Sequence, residues 1–392
     1  MMQVSYKQVQ KPSAPSDTRP VIAHVIHAMG VGGAEVLVDQ MVRRLDSEYR
    51  CVVAVLDDIG LIGHRLRADG FIVEHLNRQP GIDRACAKRL CEFADRQGAS
   101  ILHAHQYTPF FQAMLSRGLT GSRPVLFTEH GRHFPDLPSR KRMAVNRMLL
   151  RRCDRLVGCG QAVRQALIDN EGLPDGRVEV VYNGVDLTEL GQPSSGARKR
   201  IRSEFSLVDN DFVAVQVARL NALKDHQTAL RAVHRLIEAM PNFKLLIAGD
   251  GEERGAIEAT IHDLKLGNHV LLAGTRKDVA DLLAASDMFL MTSISEGIPL
   301  TIIEAMAAGV PVVSTDVGGI PEMVTHEHSG LLTRAGDDQA LAAAISRMQK
   351  DDALRENCIR NGLQVAQQKF SLDTMLNDYK QIYSEMLSAR KS

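Results

Sequence analysis

The chain has 392 residues and 44% of them are hydrophobic, enough for two or three packed domains and too apolar for disorder over most of its length. Lys+Arg and Asp+Glu both number 47, so no overall field draws the chain to nucleic acid or anionic membrane, and any basic site must be local. The six cysteines, Cys51, Cys86, Cys91, Cys153, Cys159 and Cys358, show neither paired zinc spacing nor the density of a secreted disulfide scaffold.

Residues 1–20 lack an apolar stretch of the kind an export signal carries and read as a disordered tail. No apolar run approaches the roughly 18 residues that span a bilayer, so a cytoplasmic, non-integral protein is expected. From Val21 onward, strands are predicted at 21–27, 51–56, 71–76, 101–105, 125–128, 156–158 and 178–182, and then at 212–217, 244–248, 270–273, 288–291 and 311–314. Helical patterns separate them, and this alternation is that of parallel βαβ units. The Pro-, Gly- and Ser-rich stretch LGQPSSGARKR at 190–200 reads as a linker, with the boundary near 188–195. It divides an N-terminal lobe, 21–190, from a C-terminal lobe, 191–370. Residues 370–387 form an amphipathic helix with Met375, Tyr379, Ile382 and Met386 at helical spacing, able to pack on either lobe.

Two doubly wound lobes turn the carboxyl ends of their sheets toward one cleft, so the chemistry should lie just after strands. In the first lobe, Gly32 and Gly33 follow a strand and open a helix, leaving room for backbone to approach a phosphate; tight turning alone is the competing reading. His130 ends the strand VLFTEH and should project over the cleft, with Glu129 and His133 as weaker neighbours. Asn183-Gly184 reads as a turn dipeptide at the interlobe hinge. Segment 139–155 carries seven basic residues and one acid, and on a helical wheel six of the basics fall within about 140°. It is either a solvated face or a surface for anionic lipid or an acidic acceptor, which makes Arg140–Arg155 a candidate peripheral membrane contact.

The second lobe ends its strands on informative groups. Arg219 and Lys224, five residues apart in ARLNALKDH, can swing toward one anion, a fork and a point charge suited to a diphosphate. Gly249-Asp250-Gly251 follows KLLIA, and Gly274-Thr275-Arg276 follows VLLA. The stretch TSISEGIPLTIIEAMAAGVPVV then runs from a strand end through Glu296, Gly297, Ile298, Pro299 and Leu300 into a short helix closed by Gly309. Amides at that helix start present a positive dipole end for phosphate or sugar hydroxyls. Glu296 and Glu304, eight residues apart, reach different parts of a ligand lying along it.

This last segment resembles the E-x7-E signature of retaining glycosyltransferases of the GT-B fold, and its wording is similar to family four of that class. MGVGGAE, TEHG, YNGVD, ARL-x3-K and AGDG occur in the family's order and spacing, so the resemblance covers nearly the whole chain. It implies two Rossmann-like lobes around a cleft, with residues 371–392 a helix returning to the N-terminal lobe. It further implies that Arg219 and Lys224 hold the donor diphosphate and that Glu304 accepts from ribose hydroxyls. Glu296 and the amides after it would bind the transferred sugar, and the loop Gly274–Lys277, with Thr275 and Arg276, would meet the base. His130 would lie beside the donor sugar, through its ring or its backbone carbonyl. The family resemblance raises the weight of Gly32 and Gly33 as phosphate contacts.

The expected reaction is transfer of a hexose from a UDP-linked sugar, or a GDP-linked one, to a glycan or lipid-linked glycan in surface polysaccharide synthesis. The resemblance implies retention of configuration by front-face attack. The donor region has no D-x-D motif, so no metal is expected, and no cofactor beyond the nucleotide sugar. Two other readings compete: a nucleotide-sugar epimerase of the same fold, and a non-catalytic sugar-nucleotide-binding subunit. A glycoside hydrolase fits poorly, because its two carboxylates must flank the scissile bond and Glu296 and Glu304 share one short element.

Overall fold

Long runs of Val, Ile, Leu and Ala at the sheet centres, buried on both faces, require helices above and below, and both sheets are built that way. The computed structural model describes residues 17–118, 121, 123–131, 136–190 and 193–389. The first sheet comprises β1 (Val21–Ala28), β2 (Arg50–Asp58), β3 (Ile72–His75), β4 (Ala99–His105), β5 (Val125–Glu129), β6 (Arg155–Gly158) and β7 (Val178–Val180). The second comprises β8 (Phe212–Val217), β9 (Phe243–Ala248), β10 (Val270–Gly274), β11 (Met288–Met291), β12 (Val312–Thr315) and β13 (Leu331–Thr333). Their orders are β3-β2-β1-β4-β5-β6-β7 and β10-β9-β8-β11-β12-β13, with every named pair parallel. Strand order reverses at β1/β4 and again at β8/β11, and the crevice of such a sheet opens at that switch point, outside the carboxyl ends. The two Rossmann-like lobes expected from the sequence are therefore present. β13 was not predicted: three residues between Gly330 and Arg334 are too short to show a period.

One apolar cluster runs between the lobes. It joins Phe110, Phe127, Cys159 and Val163 of the first to Phe289, Ile298, Ile302 and Met306 of the second. The helix Leu372–Ala389 does cross back. Its Leu372, Met375, Tyr379, Ile382, Tyr383 and Met386 are buried in one cluster with Ile22, Met41, Val53 and Ile101 of the N-terminal lobe. Near the crossing, Val185 pairs in a parallel bridge with Ser371, so the two passages of chain between lobes lie side by side.

Three local expectations change. Asn183-Gly184 is not a turn: neither residue has positive φ, and neither falls in a turn or bend before the Val185 bridge. Gly184 is required instead by close approach, since a Cβ there would lie 2.4 Å from the Ser371 carbonyl oxygen. The basic helix is shorter than its charge pattern suggested, Arg140–Leu149. Asp154, buried and paired with Arg117 at 2.5 Å, accepts from the Arg151 amide and so holds a turn that ends the helix before β6. Arg151, Arg152 and Arg155 therefore leave the wheel, and Arg155 pairs with Glu179 and Glu385. The tail, up to residue 16, the linker at 191–192 and His133 lie outside the described residues. Among the described residues no helix is long and apolar enough to cross a membrane, and all six cysteines are unpaired.

Candidate active site

A cavity of about 1160 Å³ opens between the two carboxyl-end rims. From the N-terminal lobe it is lined by Gly32, Gly33, Glu129 and His130, and from the C-terminal lobe by Arg219, Lys224, Gly249, Thr275 and Arg276. Glu296, Gly297, Ile298, Pro299 and Leu300 complete the same wall. Gly274 and Glu304 are not among the lining residues. Gly274, in left-handed backbone at φ +66°, turns the chain so that Thr275 and Arg276 face inward.

The charged groups on this wall differ in how they are held. Arg219 is exposed at the end of β8, and among the described residues its guanidinium makes no hydrogen bond or ion pair. Lys224 Nζ donates to Glu296 Oε1 at 2.5 Å, and Ser293 Oγ donates to the same oxygen at 2.5 Å. Glu296 is thus pinned at the helix start, and its second oxygen, Oε2, makes no hydrogen bond or ion pair among the described residues. Arg276, by contrast, is bound to Glu204 and Asp278 and offers no loose charge. Glu304 sits one turn into the helix Leu300–Ala307, partly buried, its carboxylate without a hydrogen-bond or ion-pair partner among the described residues. Burial pushes its pKa up to about 7.

Close backbone approach explains the glycines. A Cβ at Gly249 would lie 1.9 Å from the Ala218 carbonyl oxygen, and one at Gly251 would lie 2.3 Å from that of Leu220, so the ends of β8 and β9 press together beneath Arg219. Gly297 faces the other lobe, where a Cβ would meet the His130 carbonyl oxygen at 2.7 Å.

On the opposite wall, His130 is joined to a buried series of imidazoles. Its Nε2 lies 3.0 Å from His105 Nδ1, and His105 Nε2 lies 3.0 Å from His24 Nδ1. His103 stands against His105 and is held by the hydroxyls of Tyr383 at 2.7 Å and Thr128 at 2.8 Å. Burial lowers the pKa of His24 to about 3 and of His130 to about 4. Burial, aided by the neighbouring imidazoles, also holds His103 and His105 well below the usual histidine value, so all four rings are neutral near pH 7.

Several residues that shape the site were not singled out from the sequence. Gly318 and Gly319, after β12, cradle the Glu296–Gly297 backbone: Cβ atoms there would lie 1.9 Å from the Glu296 oxygen and 2.2 Å from the Gly297 oxygen. Glu322 reaches across the lobes to accept from the Gln161 and Ala162 amides, at 2.7 and 2.9 Å, capping the helix Gln161–Glu171. Tyr182 OH donates to the same carboxylate at 2.9 Å. The glycine pair in DVGGIPE was a readable hint of tight backbone; the reach of Glu322 to another lobe had no local trace.

Residues 31–189 match the model described as Glycosyltransferase Family 4, and residues 197–365 match that described as Glycosyl transferases group 1. The chain is 28% identical to the N-acetyl-alpha-D-glucosaminyl L-malate synthase of Bacillus anthracis, over 80% of this chain and 82% of that one. It is 26% identical to the UDP-Gal:alpha-D-GlcNAc-diphosphoundecaprenol alpha-1,3-galactosyltransferase of Escherichia coli, over 76% and 78% respectively. Among solved structures, a glycosyltransferase of Rickettsia africae superposes with a TM-score of 0.82 at 21% identity, over 94% of this chain and 99% of that one. The Anabaena protein HepE in complex with UDP-glucose gives a TM-score of 0.81 at 25% identity, over 94% and 99%. With two matched models that together span both lobes, and a cleft built at two switch points, the chain belongs to the group 1, family 4 glycosyltransferases of the GT-B fold.

Proposed function

We propose that this glycosyltransferase moves a hexose from a nucleoside-diphosphate sugar, UDP-linked by preference and GDP-linked otherwise, to a glycan or lipid-linked glycan, with retention of anomeric configuration. The observation that carries this reading is the guanidinium of Arg219, unpaired among the described residues, on the same wall of the interlobe cavity as the Lys224–Glu296 pair at the start of the helix Leu300–Ala307. A departing diphosphate needs charge placed in advance where its own charge grows, and Arg219, Lys224 and the amide of Gly297 supply it. Glu296, fixed by Lys224 and Ser293, offers its remaining carboxylate oxygen to a sugar hydroxyl, and Glu304, one turn behind the cavity wall, is the acceptor that the family resemblance assigns to the ribose hydroxyls. The HepE complex with UDP-glucose and the galactosyltransferase named for UDP-Gal support a UDP donor, and the latter's diphosphoundecaprenol substrate supports a lipid-linked acceptor.

Acceptor entry is read on the N-terminal side. Ser139 and Arg142 line the cavity, while Arg140, Lys141, Arg147 and Met148 are exposed on the short helix beside it, a surface suited to an anionic lipid face at the membrane. A panel of nucleotide sugars tested by thermal shift should give one stabilising donor, and NMR of the product formed on a lipid-linked glycan should show the donor's anomeric configuration. Absence of stabilisation by every UDP and GDP sugar, or an inverted product, would refute the proposal.

A further inference from the structure

We propose that Asn183 is a positioning residue that fixes the proton arrangement of His130, and through it of His105 and His24, by way of its contact with the opposite lobe. Asn183 is 4% exposed and stands between the two lobes. Its Nδ2 donates to the Ile298 carbonyl at 3.1 Å, and its Oδ1 lies 3.4 Å from His130 Nδ1. The orientation of that amide follows from chemistry: a carbonyl oxygen can only accept, so the NH2 group must face Ile298 and the oxygen must face the imidazole.

One assignment dictates the next. Facing an acceptor, Nδ1 of neutral His130 carries the proton, and its Nε2 is a lone pair. His105 must then donate from Nδ1, which leaves His105 Nε2 to accept from His24 Nδ1. The series ends at His24 Nε2, which is buried and has no partner among the described residues. In this direction that last atom is a bare acceptor, whereas the reverse direction would bury an N–H donor with nothing to receive it, the costlier of the two. The inner end of the series thus accommodates the polarity that Asn183 imposes at the outer end.

Both nitrogens of His130 are engaged inside the protein, so its ring holds a fixed plane at the cavity wall. Its stacking on His105, with ring centroids 5.3 Å apart and planes 16° apart, matches that role. Ile298 belongs to the C-terminal lobe's helix start, so separation of the lobes removes the contact that orients the amide. The ring of His130 thereby registers whether the cleft is closed. The benefit to sugar transfer rests on the function proposed above; the tautomer does not.

The test uses the full chain labelled with 15N-histidine at pH 7.5, with the His130 resonances assigned by their loss in His130→Gln. Multiple-bond 1H–15N correlation should show His130 protonated at Nδ1. Asn183→Ala should admit the Nε2–H form, and Asn183→Asp, which still presents an acceptor to the ring, should keep the Nδ1 proton. With the stabilising donor in hand, Asn183→Ala should lower kcat about tenfold while the donor KM moves less than about twofold. An Nε2–H tautomer in the wild type, loss of the Nδ1 proton in Asn183→Asp, or an unchanged tautomer in Asn183→Ala overturns the proposal. If Asn183→Ala fails to fold, the wild-type and Asn183→Asp spectra decide. Failure to find any donor would leave these spectra intact and count against the proposed transfer alone.

Discussion

Replacing Glu304 by Gln should make the unliganded protein more stable at pH 8. The carboxyl has no cationic partner among the described residues, and burial raises its pKa from 4.5 to about 7. A folded-state pKa above the unfolded one means that folding disfavours the ionised form. The penalty is absent below about pH 4.5, grows through the interval to 7, and is complete above it. At 1.36 kcal/mol per pH unit this interval corresponds to about 3 kcal/mol, and the side chain's partial access to water reduces it to about 2 kcal/mol. For a lobe of this size that is a rise in Tm of about 4–8 °C at pH 8, shrinking to nothing near pH 4.5. Calorimetry of both proteins across pH 4.5–8.5 measures it, and donor titration of the same variant should show weaker binding, because a carboxamide replaces the ionised acceptor. A Glu304→Gln protein no more stable than wild type at pH 8 would refute the assignment of an unpaired, ligand-awaiting carboxylate.

Other substitutions separate charge that awaits a ligand from charge that holds the fold. Arg219→Ala should lower transfer about 10²–10³-fold while unfolding free energy stays within about 0.5 kcal/mol, since among the described residues nothing pairs with the guanidinium; steady-state kinetics with denaturant melts reads both. Glu322→Ala removes a cap that one lobe places on a helix of the other, and should cost about 1–2 kcal/mol, visible as a Tm lowered by about 2–8 °C. Gly318→Ala, in left-handed backbone at φ +54° and pressed on the Glu296 carbonyl, should destabilise by about 2–3 kcal/mol and abolish activity. Gly336→Ala, also left-handed at φ +77° but facing open space, should cost only about 1 kcal/mol and keep turnover.

The fold was legible because its determinants are local. Runs such as VVAVL in β2 and the helical patterns between strands report burial on two faces directly, and twelve of the named strands answer to predicted ones. The cavity rim was legible for a related reason: strands of a parallel sheet end where ligands bind, so Arg219, Gly249, Thr275 and Glu296 could be placed from the ends of their apolar runs. What stayed hidden depends on contacts distant in sequence. The early stop of the basic helix is set by Asp154 bonded to Arg117 across 37 residues. Gly184 looked like a turn because its neighbour is asparagine, whereas its lack of a side chain answers to Ser371, far along the chain. Glu304 shared its spacing with Glu296 yet does not line the cavity, because one more helical turn carries it behind the first.

Placing Tyr379 and Tyr383 inside the first lobe has a consequence for biosynthesis. Their hydroxyls reach Thr128 and His103 on the central strands, and their rings fill the same apolar cluster as Ile22 and Ile101. A chain made from its amino end emerges with that cluster open, and the gap persists while nearly the whole second lobe is translated. The lobe that is synthesised first is therefore the one finished last, and truncation before residue 372 should expose the nascent first lobe to proteases while sparing the second.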